Sequence, residues 1–206
     1  MSPALKSRLQ RTAILCLIAL VIGAAMGWHQ AQKGSGKQEA LMTVAGVQIG
    51  GPFVLTDQND ATVTEKNYEG QYKLMYFGFT SCPAICPTEL QKITRVMDAL
   101  GDGGKNIQPL FVTVDPERDT VDVMKSYLSQ FHPRFVGLTG TPEQIAAMLK
   151  SYRIYANKVK TPEMSDYTMD HSSFVYLMGP ADELLAIYRT ADTAEMMTAD
   201  IAEKVR

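Results

Sequence analysis

The sequence predicts an α/β fold, with a single domain of ordinary size behind an N-terminal hydrophobic segment. Apolar runs typical of buried strands alternate with helical hydrophobic patterns, which is the sequence pattern of an α/β protein. Hydrophobic residues make up 46% of the 206 residues, which is enough for a sizeable core. The net charge is -2 and no segment is rich in Lys and Arg, so nucleic-acid binding is not expected.

The first element is a hydrophobic segment, residues 12–28, which contains no charged residue. Its length is at the short end of the roughly 17–25 residues that a transmembrane helix needs. Basic residues within 1–11 predict a cytoplasmic N-terminus and a domain on the outer face, and Trp28 suits the interface. A cleaved signal peptide, cut near Gly23 or Ala25, is the alternative. We expect an uncleaved transmembrane anchor.

The next segment, residues 29–46, is polar and contains the sequence Lys33–Lys37 (KGSGK), which is typical of a flexible tether. Such a tether suits a domain that must reach a membrane-bound partner. The folded domain is predicted to occupy residues 47–206. Cys16 lies inside the hydrophobic segment and is interpreted as a small apolar residue.

The first half of the domain carries one turn signal and two near-continuous apolar runs, which indicate a hairpin and two buried strands. In chain order the predicted elements are a hairpin of Phe53–Thr56 and Ala61–Thr64 around Asp57–Asp60, a strand at Lys73–Phe79, a helix from Cys86 to about Gly101, and a strand at Ile107–Val114.

The second half has helix-capping signals and a closing pair of strands. Its predicted elements are a helix capped by Asp119 or Thr120 and ending near Phe131, a strand at Phe135–Leu138, a helix from Thr141 to Tyr152, a weak strand at Tyr155–Val159, an irregular stretch at Thr161–Asp170, strands at Ser173–Met178 and Glu183–Arg189, and a helix from Asp192 with Glu195 as its capping partner. With a cysteine pair on the first strand-to-helix turn, this order predicts a thioredoxin-like fold with an N-terminal hairpin.

The cysteine pair, Cys82 and Cys86, lies where the strand at Lys73–Phe79 leads into a helix. Free backbone N–H groups and the helix dipole favour thiolates at such a turn. A spacing of four places both side chains on one face of a helical turn, where they can hold one soft ion. Pro83 and Pro87 stiffen the turn and so fix the direction of the sulfurs.

Two thiolates seldom satisfy a metal ion, and His171 is the candidate third ligand. It precedes a buried strand that a thioredoxin-like sheet would place beside the strand leading to Cys82. Asp170 or a nearby carbonyl would orient its other ring nitrogen. Taken alone, a single loop histidine is more often structural than a ligand. The soft donor set fits copper better than zinc, which usually takes four protein ligands or a catalytic water.

Three segments together resemble the signatures of one family: Phe77–Pro87, Val112–Thr120 and Asp170–Ser172 look like those of the Sco/SenC proteins. The resemblance implies a thioredoxin-like fold and delivery of copper to the CuA centre of cytochrome c oxidase, in subunit II. It implies that Cys82, Cys86 and His171 bind copper, as Cu(I) or Cu(II). It also implies that Asp115 lies near the site and influences its electrostatics or its partner contact.

Two positions depart from the family pattern. Ala84 stands where an acidic residue is common, so one negative charge beside the cysteines is missing. Val121 stands where proline is common, which is expected to alter only the start of a helix. Loss of the acid would lower copper retention or change the reduction potential of the cysteines, and the sequence leaves both open.

Two other classes of function remain open. A thiol–disulfide oxidoreductase would use the same cysteines, to reduce those of the CuA site, although three intervening residues differ from the two of C-x-x-C. A copper or redox sensor would signal through a membrane partner.

Because the predicted anchor leaves the domain on the outer face, the chain is expected to act outside the cytoplasm, in a bacterial periplasm or a mitochondrial intermembrane space. Other copper chaperones and thioredoxin-like reductases are candidate partners.

Overall fold

The computed structural model describes residues 49–205. The predicted anchor at residues 12–28 and the predicted tether at 29–46 lie outside the described residues. None of the helices within 49–205 is long and apolar enough to cross a membrane.

The domain consists of nine strands and four α-helices within the described residues. In chain order they are β1 (Val54–Asp57), β2 (Thr62–Thr64), β3 (Tyr72–Gly78), α1 (Ile85–Leu100), β4 (Ile107–Thr113), α2 (Val121–Leu128), β5 (Val136–Thr139), α3 (Pro142–Ser151), β6 (Ala156–Val159), β7 (Thr168–His171), β8 (Phe174–Met178), β9 (Leu184–Arg189) and α4 (Ala194–Lys204).

Seven of the strands form one sheet in the order β2-β1-β5-β4-β3-β8-β9. Strands β3, β4 and β5 are parallel, whereas β1, β8 and β9 each run antiparallel to a neighbour. Strand β3 lies between β4 and β8, and from Lys73 to Gly78 every residue of it is buried. Burial on both faces is consistent with the continuously apolar run from Leu74 to Phe77, and the one buried charge, on Lys73, is paired with Asp182.

The helices pack around this sheet: α1 contacts α4, α2 contacts β5, and α3 contacts β1. Buried residues of α1 recur at helical spacing and include Leu90 and Ile93. The same helix buries an ion pair, in which Lys92 Nζ lies 2.9 Å from Glu89 Oε1. Lys92 also donates to the carbonyl oxygen of Thr190, at 3.0 Å, so the middle of α1 is joined to the segment after β9.

The structure decides between the two predicted caps of α2 and shifts the predicted cap of α4 by one residue. Thr120 caps α2, because its side chain accepts a hydrogen bond from Val123 N, and Asp119 does not. Thr193 caps α4, and the predicted cap Asp192 instead accepts a hydrogen bond from Arg189 N. The predicted start of α3 is confirmed, with Thr141 as cap, Pro142 in the first turn and Gln144 completing the capping box.

The predicted irregular stretch at residues 161–170 is wrong at its C-terminal end. Strand β7 begins at Thr168 and pairs antiparallel with β6, with Ala156 opposite His171. Together they form a two-stranded sheet that is separate from the seven-stranded sheet. We call β6, β7 and the residues between them the His171 hairpin. His171 is therefore the last residue of a strand and not part of a loop.

Candidate metal centre

The two cysteines lie where β3 leads into α1, as the sequence predicts, with Cys82 in the connecting turn. Cys86 is in the first helical turn, and its backbone N–H donates to the sulfur of Cys82 at 3.4 Å. Ala84 occupies the N-cap position and makes no side-chain capping hydrogen bond. The sulfur of Cys82 therefore accepts the N–H that a capping side chain would otherwise accept.

Cys86 is completely buried, whereas Cys82 is partly exposed. The backbone of β3 can approach α1 closely enough to bury Cys86 because position 78 is glycine. A Cβ atom at Gly78 would lie 2.9 Å from Cys86 Sγ and 2.9 Å from a ring carbon of Tyr76. The hydroxyl of Tyr76 also donates to Cys86 Sγ, at 3.6 Å. These contacts hold one sulfur in the core and leave the other facing water.

The two sulfurs have opposite acidities. The hydrogen bond from the Cys86 thiol, aided by backbone N–H groups of Ala84, Ile85 and Cys86, lowers the pKa of Cys82 to about 5. The same hydrogen bond, together with burial, raises the pKa of Cys86. At neutral pH the pair is therefore a Cys82 thiolate that accepts a hydrogen bond from a neutral Cys86 thiol.

This asymmetry predicts selective alkylation. Iodoacetamide should modify Cys82 in preference to Cys86, because only the exposed thiolate is a good nucleophile. The rate should rise with pH and level off above about 5, the pKa of Cys82 in the folded protein, and not near the ordinary value of 9.0. Peptide mass mapping across a pH series measures both effects. A rate that keeps rising to the ordinary thiol value, or equal labelling of Cys86, would contradict it.

His171 lies beside the cysteines, with its Nε2 3.8 Å from Cys86 Sγ. Its Nδ1 is 3.0 Å from the carbonyl oxygen of Ser172, which can only accept, so Nδ1 carries the proton. In the neutral imidazole the lone pair is then on Nε2, the ring nitrogen that lies 3.8 Å from the sulfur. The rings of Tyr76 and Phe79 meet the imidazole edge to face, at 6.4 and 5.7 Å between centroids.

The orienting partner of His171 is a carbonyl, the second of the two predicted possibilities. Asp170 is exposed and lies opposite Asn157 in the His171 hairpin, so this predicted neighbour of the site does not orient the imidazole. The sequence could not distinguish these possibilities, because both partners lie next to His171 in the chain.

The spacing of the donors suits one ion between them. With bond lengths typical of zinc, about 2.3 Å to sulfur and about 2.0 Å to nitrogen, and an angle of roughly 120°, the two donors would be about 3.7 Å apart. Cys86 Sγ and His171 Nε2 are 3.8 Å apart. Among residues 49–205, no group of three or more His, Cys, Asp and Glu side chains is arranged to hold a metal ion. Cys86 is instead the shared member of two pairs, one with Cys82 and one with His171.

Asp115 is buried in the loop after β4, as part of a cluster that the sequence only partly predicts. Its carboxylate accepts hydrogen bonds from Arg118 Nε, at 2.5 Å, and from the Tyr167 hydroxyl, at 2.8 Å. The guanidinium of Arg118 lies over the ring of Tyr167, 3.8 Å from its centroid. No local sequence signal joins Tyr167 to this loop, since the contact depends on tertiary structure.

Asp119 is a buried residue whose role the sequence missed. Its carboxylate accepts hydrogen bonds from the backbone N–H and hydroxyl of Thr80 and from the hydroxyl of Thr113. Burial raises the pKa of this carboxyl. Because Thr80 follows β3 and precedes Cys82 by two residues, Asp119 fixes the start of the cysteine turn to the end of β4.

Comparison with known proteins identifies relatives of this sequence and fold. A sequence model described as SCO1/SenC matches residues 42–206. The SCO1 homolog 1 of Arabidopsis thaliana, a protein named as mitochondrial, is 42% identical over 159 residues, 77% of this chain and 47% of that one. This chain spans about half the length of the Arabidopsis, yeast and human relatives.

Two solved structures have the same fold. The crystal structure of Arabidopsis thaliana ScoI with copper bound is 42% identical, with a TM-score of 0.73 over 77% of this chain and 98% of that one. BsSco, in which a disulfide switch was identified, is called a member of the Sco family of cytochrome c oxidase assembly proteins. It is 27% identical, with a TM-score of 0.59 over 75% of this chain and 90% of that one. This chain belongs to the SCO1/SenC family and has its thioredoxin-like α/β fold.

Proposed function

We propose that this protein is a membrane-anchored copper metallochaperone that binds copper through Cys82, Cys86 and His171. It helps deliver the ion to the CuA centre in subunit II of cytochrome c oxidase. The observation that carries the proposal is the position of His171 Nε2, 3.8 Å from Cys86 Sγ. Two soft sulfurs and one imidazole are donors that copper prefers. The copper-bound Sco structure supports the same choice of cargo.

Each of the three residues has a separate task in holding the ion. Cys82 is already a thiolate at neutral pH and is the first donor. Cys86 must lose its proton, so loading releases about one proton per ion near neutral pH. His171 is held by the Ser172 carbonyl in the tautomer that offers Nε2. Among residues 49–205 no three such side chains surround one point, so in this proposal loading includes a movement of Cys82 or His171 toward the other two donors.

Transfer proceeds by ligand exchange, in an order that the exposure of the sulfurs sets. An incoming thiolate of the acceptor meets Cys82 first, because Cys86 is completely buried. Exchange with an incoming disulfide oxidises the two thiols to a disulfide and reduces that partner to two thiols. Both donors are then lost, so the redox state of the pair controls loading. Asp115 influences the site or its partner contact from its buried position, and Ala84 leaves the helix start without an added negative charge.

The N-terminal segments supply the location in this proposal. Residues 12–28 anchor the protein, 1–11 remain on the cytoplasmic side, and 29–46 tether the copper-binding domain 47–206 at the outer face. This places the domain in a periplasm or a mitochondrial intermembrane space. The mitochondrial names of the plant, yeast and human relatives agree with a mitochondrial location. Other copper chaperones, or thioredoxin-like reductases, would load or reduce the site.

Copper titration of the reduced protein tests the proposal. We expect one ion per chain and, with Cu(II), a visible absorption band from thiolate-to-copper charge transfer. His171→Ala should lower the affinity about 10-fold or more, because it removes one donor. His132→Ala is the matched control, since His132 lies after α2 and its Nδ1 accepts a hydrogen bond from Arg134 N. Equal affinities for His171→Ala and the wild type would remove His171 from the ligand set.

A second candidate function is thiol–disulfide exchange. It is favoured by the pairing of an exposed, acidic thiol, Cys82, with a buried one, Cys86. In this reaction the two thiols are oxidised to a disulfide while a disulfide of the CuA-site cysteines is reduced to two thiols. An insulin-reduction assay with and without bound copper separates the two functions. Fast reduction that copper does not inhibit would favour the enzyme. A copper or redox sensor has no such supporting contact.

A further inference from the structure

The proposed third ligand is carried by an element that is not part of the main sheet. The His171 hairpin forms its own two-stranded sheet within the described residues. An isolated two-stranded hairpin is at best marginally stable in water. The position of His171 therefore depends on the side chains that fix this hairpin to the rest of the domain.

Most of those side chains come from one segment, the loop between β4 and α2. Within residues 49–205, the polar contacts from the His171 hairpin to the rest of the domain involve this loop, the Cys86–His171 pair, or Ser172, which directly follows the hairpin. The loop contacts are Arg118 with Asp166, Arg118 with the Tyr167 carbonyl, Asp115 with the Tyr167 hydroxyl, and Glu117 with Lys158.

Tyr167 is the residue on which these contacts converge. Arg118 lies over its ring at 3.8 Å from the centroid and donates to its carbonyl oxygen at 2.9 Å. Lys158 Nζ lies 4.7 Å from the same ring centroid, and the Tyr167 hydroxyl donates to Asp115. Two cations on one aromatic ring, with a buried carboxylate at its hydroxyl, make this a well-defined attachment point.

The guanidinium of Arg118 is hydrogen-bonded through two of its three nitrogens. Its Nε is paired with Asp115, whose side chain is fully buried, and its Nη1 with Tyr167 and Asp166. Its Nη2 is buried and has no hydrogen-bond partner among the residues described. Arg118 also lies 5.8 Å from the ring of Phe79, which in turn meets His171 edge to face.

Met169 and His171 lie on the same face of β7, because alternate residues of a strand face the same side, and Tyr167, directly before β7, continues this alternation. Tyr167 and His171 are therefore roughly 13 Å apart along the chain, at about 3.3 Å per residue. Between them, Met169 packs against the hydrophobic core. One end of the strand is therefore fixed by Arg118 and the other carries the imidazole.

We infer that Asp115, Arg118 and Tyr167 form a positioning cluster, which holds the His171 hairpin so that the imidazole meets the sulfurs. The inference rests on the proposed copper site and goes beyond it. The cluster does not touch the ion. It sets the fraction of molecules in which His171 is in place, and that fraction multiplies the copper affinity.

A double-mutant cycle tests whether the cluster acts through His171. Tyr167→Leu removes the aromatic ring and the hydroxyl, and should lower the affinity for Cu(I) about 10-fold in a competition titration. In the His171→Ala background the same substitution should have no further effect, since the residue it positions is gone. Tyr167→Phe keeps the stacked ring and should retain most of the affinity.

Tyr155→Leu is the matched control. It makes the same chemical change just before β6, where the Tyr155 side chain is exposed, and should leave the affinity unchanged. Hydrogen exchange of the metal-free protein supplies a readout without copper: Tyr167→Leu should speed exchange of the β6–β7 amides at least 10-fold relative to Tyr155→Leu.

Three results would overturn the inference, and they differ in what they say about the proposed function. An equal loss of affinity from Tyr167→Leu with and without His171 overturns the inference, because the effect would not pass through the imidazole. A loss for His171→Ala without one for Tyr167→Leu overturns the inference and leaves the proposed function standing. Unchanged affinity in His171→Ala itself overturns the proposed ligand set, and the positioning role falls with it.

Discussion

Cys86→Ser should lower the affinity of the protein for Cu(I) more than about 100-fold. Substitutions that only support a metal ligand already cost about 10–100-fold, and this one removes the ligand itself. A serine hydroxyl is a hard donor that stays protonated at neutral pH, so it does not replace a thiolate. Cys86 is also the residue that contacts both Cys82 and His171, so its loss removes the centre of the donor set. Competition titration with a Cu(I) chelator measures the change.

The full chain offers a matched control in its third cysteine. Cys16→Ser makes the same chemical change in the predicted membrane segment, outside the proposed site, and should leave the affinity for Cu(I) unchanged. Cys86→Ala guards against a folding defect, since alanine places no polar atom in the core beside Gly78. Circular dichroism of both variants should match the wild type. Copper affinity within threefold of the wild type for a folded Cys86 variant would contradict the prediction.

Asp119→Ala should destabilise the domain by about 3 kcal/mol, because it leaves buried donors without an acceptor. The carboxylate of Asp119 accepts from Thr80 N at 3.1 Å and from the hydroxyls of Thr80 and Thr113, each at 2.6 Å. The two hydroxyls can rotate, but the backbone N–H of Thr80 cannot find another acceptor without moving the turn. Thermal unfolding should show a Tm lower by roughly 6–12 °C for a domain of this size.

Asp122→Ala is the comparison for that measurement. Asp122 is exposed in the first turn of α2, three residues from the buried carboxylate, so its removal should cost less than about 1 kcal/mol. Because Asp119 holds the segment that enters the cysteine turn, Asp119→Ala should also raise the reactivity of Cys86 toward alkylation. A Tm shift equal to that of Asp122→Ala would show that the Thr80 and Thr113 contacts contribute little.

The sequence predicted the part of the site that is local in the chain. Cys82 and Cys86 stand on a strand-to-helix turn because an apolar run precedes them and a helical pattern follows, and both patterns span only a few residues. The capped start of α3 is local in the same sense, with Thr141 and Gln144 three residues apart. His171 came from a different argument, the expected order of strands, and its distance from Cys86 supports that argument.

Strand β7 was missed because its residues carry no strand pattern. The segment Thr168–His171 has one apolar residue in four, and β-strand propensity depends strongly on packing and pairing. It becomes a strand because β6 pairs with it across residues 160–167. A pairing between two weak segments is a property of the folded protein, and neither segment predicts it alone.

The sequence also did not predict the contacts of the buried polar residues near the site. Asp119 looked like a helix cap, since Asp is common at that position, but its carboxylate is directed at Thr80 and Thr113. Tyr167 stood in a stretch without periodicity and gave no signal. Hydrogen bonds between groups tens of residues apart are satisfied only after the chain has folded, so sequence spacing does not predict which pairs form.

The central place of β3 in the sheet has a consequence for the order in which the native contacts form. Lys73 on β3 pairs with Met178 on β8, so most of the domain lies between these two partners in sequence. Long-range pairing of this kind slows folding, because the chain must lose much conformational freedom before the contact stabilises it. In a newly made chain the Cys86 thiol, which is buried in the folded domain, therefore remains open to oxidants until the final quarter of the chain completes the sheet.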